Sequence, residues 1–240
     1  MSTPRGATID LQGRFVALSG SVPNRERRPE FYTPGAHVEI AAAVVAITRS
    51  VLAAHGRLAM GGHPIISKML FDILGADYAG SDAIAASGPL ILIYQSKAFF
   101  EASHDATMTL ADLGVAAIRW AEAEANERYD PDAQGSEQCL RSLERMRREM
   151  FDETDPLALV CVGGMEGIFR EAELFAGLYP DRPIVAFAST GGASRLLPRK
   201  LTGPAILRVP DSEYGQPYRP TPYNALIQHE LAELVHDRPV

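Results

Sequence analysis

The chain has 240 residues, 46% of them hydrophobic, which is enough for a substantial core in one large domain rather than two. A net charge of −7 argues against a general DNA or RNA binder. Two cysteines, Cys139 and Cys161, make neither a disulfide framework nor a zinc pattern, so no metal and no cofactor is expected and the usage fits a reducing cytoplasm.

The N-terminal Met1–Thr8 lacks the apolar core of a signal peptide. No apolar run approaches the roughly 20 residues that span a bilayer. A cytoplasmic protein with no membrane segment is the expectation.

Phe15 to Val22 reads as a first strand that ends in small residues. Pro23 to Pro34 is a polar, proline-bearing loop long enough to serve as a cover. His37 to His55 has the period of a helix with a largely apolar face, Val38, Ala41, Ala42, Val45, Val51 and Leu52. A second strand, Arg57 to Met60, stops at Gly61-Gly62-His63-Pro64, and Pro64 suits the first turn of a helix running to Leu74. Leu90 to Tyr94 is a fully apolar third strand that ends at Gln95-Ser96. Phe99 and Phe100 suggest that part of Lys97 to Leu113 packs down.

Ala116 to Trp120 reads as a short fourth strand, followed by a polar loop, Asn126 to Gly135. Ser136 to Phe151 has the pattern of a helix, with Ser136 as N-cap and Leu140, Leu143, Met146 and Met150 as its apolar stripe.

Leu157 to Val162 is a six-residue apolar run of the length a buried parallel strand needs, with Cys161 a small inert hydrophobe inside it. It stops at Gly163-Gly164, and a helical period begins after Gly167. Pro183 to Thr190 is a sixth strand, ended by Gly191-Gly192, with a helix from near Ala193. Pro204 to Pro222 is proline-rich, with an edge strand possible at Ala205 to Val209. Asn224 to Val235 is a closing amphipathic helix, and residues 204–240 are expected to pack on the main body.

Strands alternating with helices imply parallel crossovers and a doubly wound, mostly parallel sheet with helices on both faces. In such a sheet the carboxyl ends of the strands share one edge, where ligands bind. Four strands here end in small-residue turns: Ser19-Gly20-Ser21, Gly61-Gly62-His63, Gly163-Gly164 and Thr190-Gly191-Gly192. Together they would line a groove with backbone N–H groups suited to a phosphate. A nucleotide-like ligand at that edge is the reading that repetition favours.

Leu18-Ser-Gly-Ser-Val22, Met60-Gly-Gly-His-Pro64, Gly163-Gly-Met-Glu-Gly-Ile168 with Glu171, and Ser189-Thr-Gly-Gly192 resemble, in that order, the SLOG superfamily. That superfamily unites the DprA/Smf fold with the Lonely Guy cytokinin-activating enzymes and nucleotide-sensing domains of bacterial conflict systems. The stand-alone branch called SLOG cluster 3 is the most similar. The resemblance spans about Phe15 to Leu201 and implies a Rossmann-like domain that binds a nucleotide or nucleotide-derived ligand at these turns. The Lonely Guy enzymes hydrolyse the N-glycosidic bond of a nucleoside monophosphate with a Pro-Gly-Gly-x-Gly-Thr-x-x-Glu signature and a preceding Arg-Lys pair. Gly163, Gly164, Gly167 and Glu171 match it, and Arg147-Arg148 lie in the corresponding helix. Val162 replaces the proline, Ile168 the threonine, and one residue is inserted. The lost threonine hydroxyl favours ligand binding or sensing, with N-glycosidic hydrolysis as the alternative.

Individual residues follow from this. Glu171 is either a carboxylate facing the ligand, able to stabilise developing ribosyl charge, or an exposed helix acid. Arg147 and Arg148 offer bidentate contacts to phosphate, one facing the site and one facing water. Glu166 repels phosphate at close range but can accept from a ribose diol. His63 can donate to phosphate or stack on a base, Ser19, Ser21 and Thr190 can bond phosphate or serve as caps, and Gln95 and Met165 complete the set. Trp120 reads as core or interface, with base stacking as the alternative. The apolar helices and the resemblance together suggest a homodimer or larger homo-oligomer.

Overall fold

The computed structural model describes residues 9–26, 28–78, 88–102, 105–130, 138–201, 203, 205–212 and 220–237. Seven strands form one sheet: β1 (Phe15–Ser21), β2 (Arg57–Gly61), β3 (Ile91–Ser96), β4 (Ala116–Ala121), β5 (Leu159–Gly163), β6 (Pro183–Phe187) and β7 (Ile206–Arg208). Among the described residues these α-helices accompany them: α1 (Ala36–Ala53), α2 (Pro64–Tyr78), α3 (Asp105–Asp112), α4 (Leu140–Thr154), α5 (Glu166–Leu178), α6 (Gly192–Lys200) and α7 (Tyr223–Asp237). Strand order is β4-β3-β2-β1-β5-β6-β7, and every pairing is parallel. The sheet is the Rossmann-like, doubly wound α/β architecture expected from the alternation of elements.

The order reverses direction at β1. The chain steps outward from β1 through β2 and β3 to β4, then crosses the sheet to pair β5 on the opposite side of β1. Right-handed crossovers in opposite directions must put their helices on opposite faces. The buried residues divide accordingly. One face carries Val16, Leu18, Val160 and Val162 against Ile40, Val44 and Ile47 of α1, Ile66 and Leu70 of α2, and Ile227 and Leu231 of α7. The other carries Ala17, Ala59, Leu159 and Cys161 against Met146, Met150 and Phe151 of α4, Phe175 of α5 and Leu197 of α6. Alternate residues of β1 and β5 thus serve opposite cores, as a strand's two-residue period requires. Each fully buried Leu, Ile or Phe contributes about 1.5–3 kcal/mol of burial.

Among the described residues, α1 is the one helix long and apolar enough to cross a bilayer by length and composition. That corrects the expectation that no apolar segment comes near this limit. The side that packs against the sheet, α2 and α7 is Ile40, Ala43, Val44, Ile47 and Val51, which corrects the face read from sequence: Val51 and Leu52 are buried, but Val38 and Ala42 are exposed and Ala41 and Val45 only half-buried.

Several boundaries differ from the sequence reading. The sixth strand stops at Phe187, because Ala188–Thr190 turns into a 3₁₀ segment whose Ala188 and Ser189 N–H groups donate to the buried Asp211 carboxylate, each at 2.8 Å. The helix expected after Gly167 begins earlier, at Glu166. The expected N-cap Ser136 lies outside the described residues. There α4 opens at Leu140 behind Cys139, whose φ of 55° and lack of a side-chain cap leave the capping to another segment. Part of the proline-rich tail, 213–219, and the N-terminal segment 1–8 also lie outside the described residues.

The two glycine turns beyond β5 and β6 rest on each other. Ala193 N–H donates to Gly164 O at 2.9 Å, and Gly163 N–H donates to Thr190 Oγ1 at 2.7 Å. A Cβ on Gly192 would stand 2.5 Å from Gly164 O and 2.7 Å from Gly163 C, at a φ of 58°. Both the backbone contact and the left-handed conformation therefore demand glycine. Gly192→Ala is expected to lower stability by about 2–3 kcal/mol, the range of a severe backbone clash, read as a shift in the midpoint of urea unfolding.

Candidate functional site

The reversal of strand order leaves a crevice beyond the carboxyl ends of β1, β2 and β3, the place where open α/β sheets bind ligands. A cavity of about 370 Å³ occupies it. Its floor comes from Leu18, Ser19, Gly20 and Ser21 of β1, from Gly61, Gly62, His63 and Pro64 at the passage from β2 to α2, and from Gln95 and Ser96 of β3. Phe99, Tyr129 and Gln138 form one side. Leu143, Met146 and Arg147 of α4, with Met165, Gly167, Ile168 and Glu171 around the start of α5, form the other.

Of the residues singled out from sequence, Ser19, Gly20, Ser21, Gly61, Gly62, His63, Gln95, Met165, Gly167, Arg147 and Glu171 meet at this cavity. Two positions show why small residues stand there. A Cβ on Gly20 would come within 2.7 Å of Val162 Cγ2, and one on Gly62 within 2.1 Å of Gln95 Oε1. The Gln95 side chain lies across the bare α-carbon of Gly62 and makes no hydrogen bond among the described residues.

Arg147 and Glu171 form a pair across the two helices. Arg147 Nε donates to Glu171 Oε1 at 3.0 Å, with side chains only 7% and 12% exposed. Adjacent residues on a helix point about 100° apart, which separates the arginine pair. Arg147 shares the inward face with Leu143, Met146 and Met150, while Arg148 is half exposed and reaches Glu144 one turn back. Under this pair lies Cys161. Complete burial, and secondarily the Glu171 carboxylate, push its thiol pKa well up, so it stays protonated.

The remaining predicted residues stand outside the lining. Gly163, Gly164 and Gly192 lie at the turn-to-turn contact described above, the Gly164 N–H donates to Ser21 O at 2.7 Å, and the Gly191 N–H donates to Ala188 O at 3.1 Å within its own turn. Thr190 is fully buried, accepting from Gly163 N–H and donating to Phe187 O at 2.5 Å, so it ties β5 to β6. Glu166 turns away to Arg28 of the Pro23–Pro34 loop, at 2.7 Å, and Phe31 of that loop packs on Phe169 with ring centroids 6.0 Å apart. That loop covers the start of α5. The expected four-turn groove is therefore corrected to two turns, after β1 and β2, joined by the first turn of α5. Trp120 lies beside Phe100 at the β4 edge, away from the cavity. Among the described residues no group of three or more His, Cys, Asp or Glu is placed to hold a metal ion.

The sequence reading missed Phe99, Tyr129 and Gln138 as cavity residues. Tyr129 and Gln138 sit in or beside an aperiodic polar stretch, where only tertiary hydrogen bonds show their role. Gln138 Nε2 donates to Asp130 O and its Oε1 accepts from Asp130 N–H, both at 2.8 Å. Tyr129 N–H donates to Ala98 O at 2.9 Å. Glu127 caps α4 from outside the helix: its carboxylate accepts from Ser142 N–H at 2.7 Å and from Arg141 N–H and Nε at 3.3 and 3.2 Å. The cavity wall is thus fastened to both α4 and the 3₁₀ segment Lys97–Ala102.

Burial opposes ionisation of Glu127, but the hydrogen bonds from Ser142 and Arg141 outweigh it and bring its pKa down to about 2. A folded-state pKa below the unfolded value gives stability that is present above about pH 4.5 and lost as pH falls toward 2. Glu127→Gln is expected to lower the melting temperature at pH 7 and to flatten its decline between pH 4.5 and 2, followed by circular dichroism.

Comparison with known proteins places this geometry. No curated protein and no solved structure matches the chain. One family model does: that of the SLOG cluster3 family matches residues 120–219. The matched segment runs from the end of β4 through β7 and carries Arg147, the Gly163–Gly167 turn, Glu171 and Thr190–Gly192. Over residues 120–219 the chain is thus similar to the SLOG cluster3 family, in agreement with the resemblance carried by the ordered glycine motifs.

Proposed function

We propose that the protein binds a nucleotide-derived small molecule, a nucleoside phosphate, ADP-ribose or cyclic nucleotide type of ligand, and acts as a sensor of it. The observation that carries this reading is the cavity itself. It lies at the reversal of strand order, is floored by the small-residue ends of β1 and β2, and is bordered by a buried arginine. The family match supports the same ligand class, and a place in a bacterial conflict system belongs to the same proposal.

Hydrolysis of an N-glycosidic bond is the second reading, and one observation favours it. The Glu171 carboxylate borders the cavity, where a negative charge could stabilise ribosyl cation character as the bond to the base breaks. Two features favour binding instead. Arg147 already engages Glu171, and Ile168 stands where the hydrolase signature has a hydroxyl.

Incubation with a panel of nucleoside monophosphates, ADP-ribose and NAD, followed by chromatography for released base, separates the two. The expected result is binding in calorimetry without base release. Base release abolished by Glu171→Gln would establish the hydrolase instead, and absence of binding to every member of the panel would remove both readings.

A further inference from the structure

Resting on the proposed nucleotide-type ligand, the cavity's two ends differ enough to orient it. One end is backbone and hydroxyl: Ser19, Gly20 and Ser21 beside Gly61 and Gly62. The other is aromatic. The Phe99 and Tyr129 rings stand 4.9 Å apart, centroid to centroid, and are inclined by 30°. Tilted against each other in this way, both rings border the cavity and together make an aromatic wall.

This wall is held from several directions. Tyr129 N–H is bonded to Ala98 O, the Asp130 backbone is bonded on both its N–H and C=O by the Gln138 amide, and Arg128 pairs with Glu101 on the 3₁₀ segment that carries Phe99. Gln138 spends its amide on Asp130 and acts as a positioning residue. A fixed ring presents an aromatic face to a ligand without the cost of ordering it on binding. Every nucleobase has a π-face to offer such a ring.

From this we infer that Phe99 and Tyr129 are the wall on which the ligand's base stacks, with its sugar-phosphate end at the Ser19–Ser21 and Gly61–Gly62 turns.

Isothermal titration calorimetry with adenosine 5′-monophosphate, adenosine 5′-diphosphate and ribose 5-phosphate tests this. The protein, Phe99→Leu, Tyr129→Leu and Tyr129→Phe are compared, with unliganded melting temperatures as the check on folding. Loss of one stacking ring is expected to weaken the monophosphate by about tenfold in each leucine variant. Ribose 5-phosphate should be unaffected, Tyr129→Phe should retain binding, and the diphosphate should weaken in the leucine variants as the monophosphate does. Leucine variants that leave the monophosphate unchanged, or that weaken ribose 5-phosphate in parallel, overturn the stacking wall while leaving the proposed function standing. If the unaltered protein binds none of the three, the proposed function fails and this inference with it. Proton NMR of adenosine 5′-monophosphate with the unaltered protein gives a readout that needs no variant: upfield ring-current shifts of the base protons support the wall, and their absence overturns it.

Discussion

The architecture depends on β1 being paired in parallel on both sides, with β2 along one edge and β5 along the other. A parallel strand cannot be reached by a hairpin, so each pairing requires a crossover: one leaves β1 for β2, and the other comes from β4 across the sheet to β5. Helices α1 to α3 then cover one face and α4 to α6 the other. Beyond the carboxyl ends of β1 and β5 the chain turns away toward opposite edges of the sheet and leaves space. The cavity is a consequence of that divergence, and its floor is whatever residues happen to end β1, β2 and β3. Here they are small: Ser19, Gly20 and Ser21, then Gly61 and Gly62.

Glycine turns that look alike in sequence perform two different tasks. After β1 and β2 they open onto the cavity, and Gly20 and Gly62 avoid collisions with Val162 and Gln95 that any Cβ would cause. After β5 and β6 they close on one another, with Thr190, fully buried, as the hydroxyl bridge between the strands. Ser189 extends that junction to the tail. It contacts Asp211 and, at 2.6 Å, the Tyr223 hydroxyl, which donates to Glu39 at 2.7 Å; burial raises the Tyr223 pKa. The proline-rich segment and α7 are in this way joined to the end of β6 and to α1. A backbone N–H that is bonded to the neighbouring turn is not available to a ligand, which is why the second pair of turns leaves the cavity lining.

The electrostatics of the cavity wall are those of a matched pair. Removing two opposite charges from water is offset only when each satisfies the other, and Arg147 and Glu171 do so at hydrogen-bond distance. The pair ties α4 to α5 across the mouth of β5 and leaves the cavity wall without a surplus arginine charge. In the hydrolase signature that this segment resembles, the same glutamate follows a threonine hydroxyl by three residues. With Ile168 in that place, a donor has been replaced by an apolar side chain that borders the cavity and packs on the bare Gly164.

The sequence determined the sheet and one half of its ligand edge. Short apolar runs punctuated by glycine, alternating with helical periods, are local signals, and local signals are enough to specify parallel strands and crossovers. The inward turn of Arg147 and outward turn of Arg148 follow from helix geometry alone. Tertiary structure alone decided the rest. Whether Gly163–Gly164 faces a ligand or Gly191–Gly192 depends on the separation of β5 and β6, adjacent in the sheet but a helix apart in the chain. The Phe99–Tyr129 wall joins residues 30 positions apart through backbone hydrogen bonds that leave no periodicity behind. Periodicity records which face of an element is buried. It does not record which two loops meet, because that is fixed by how far the sheet carries their ends toward each other.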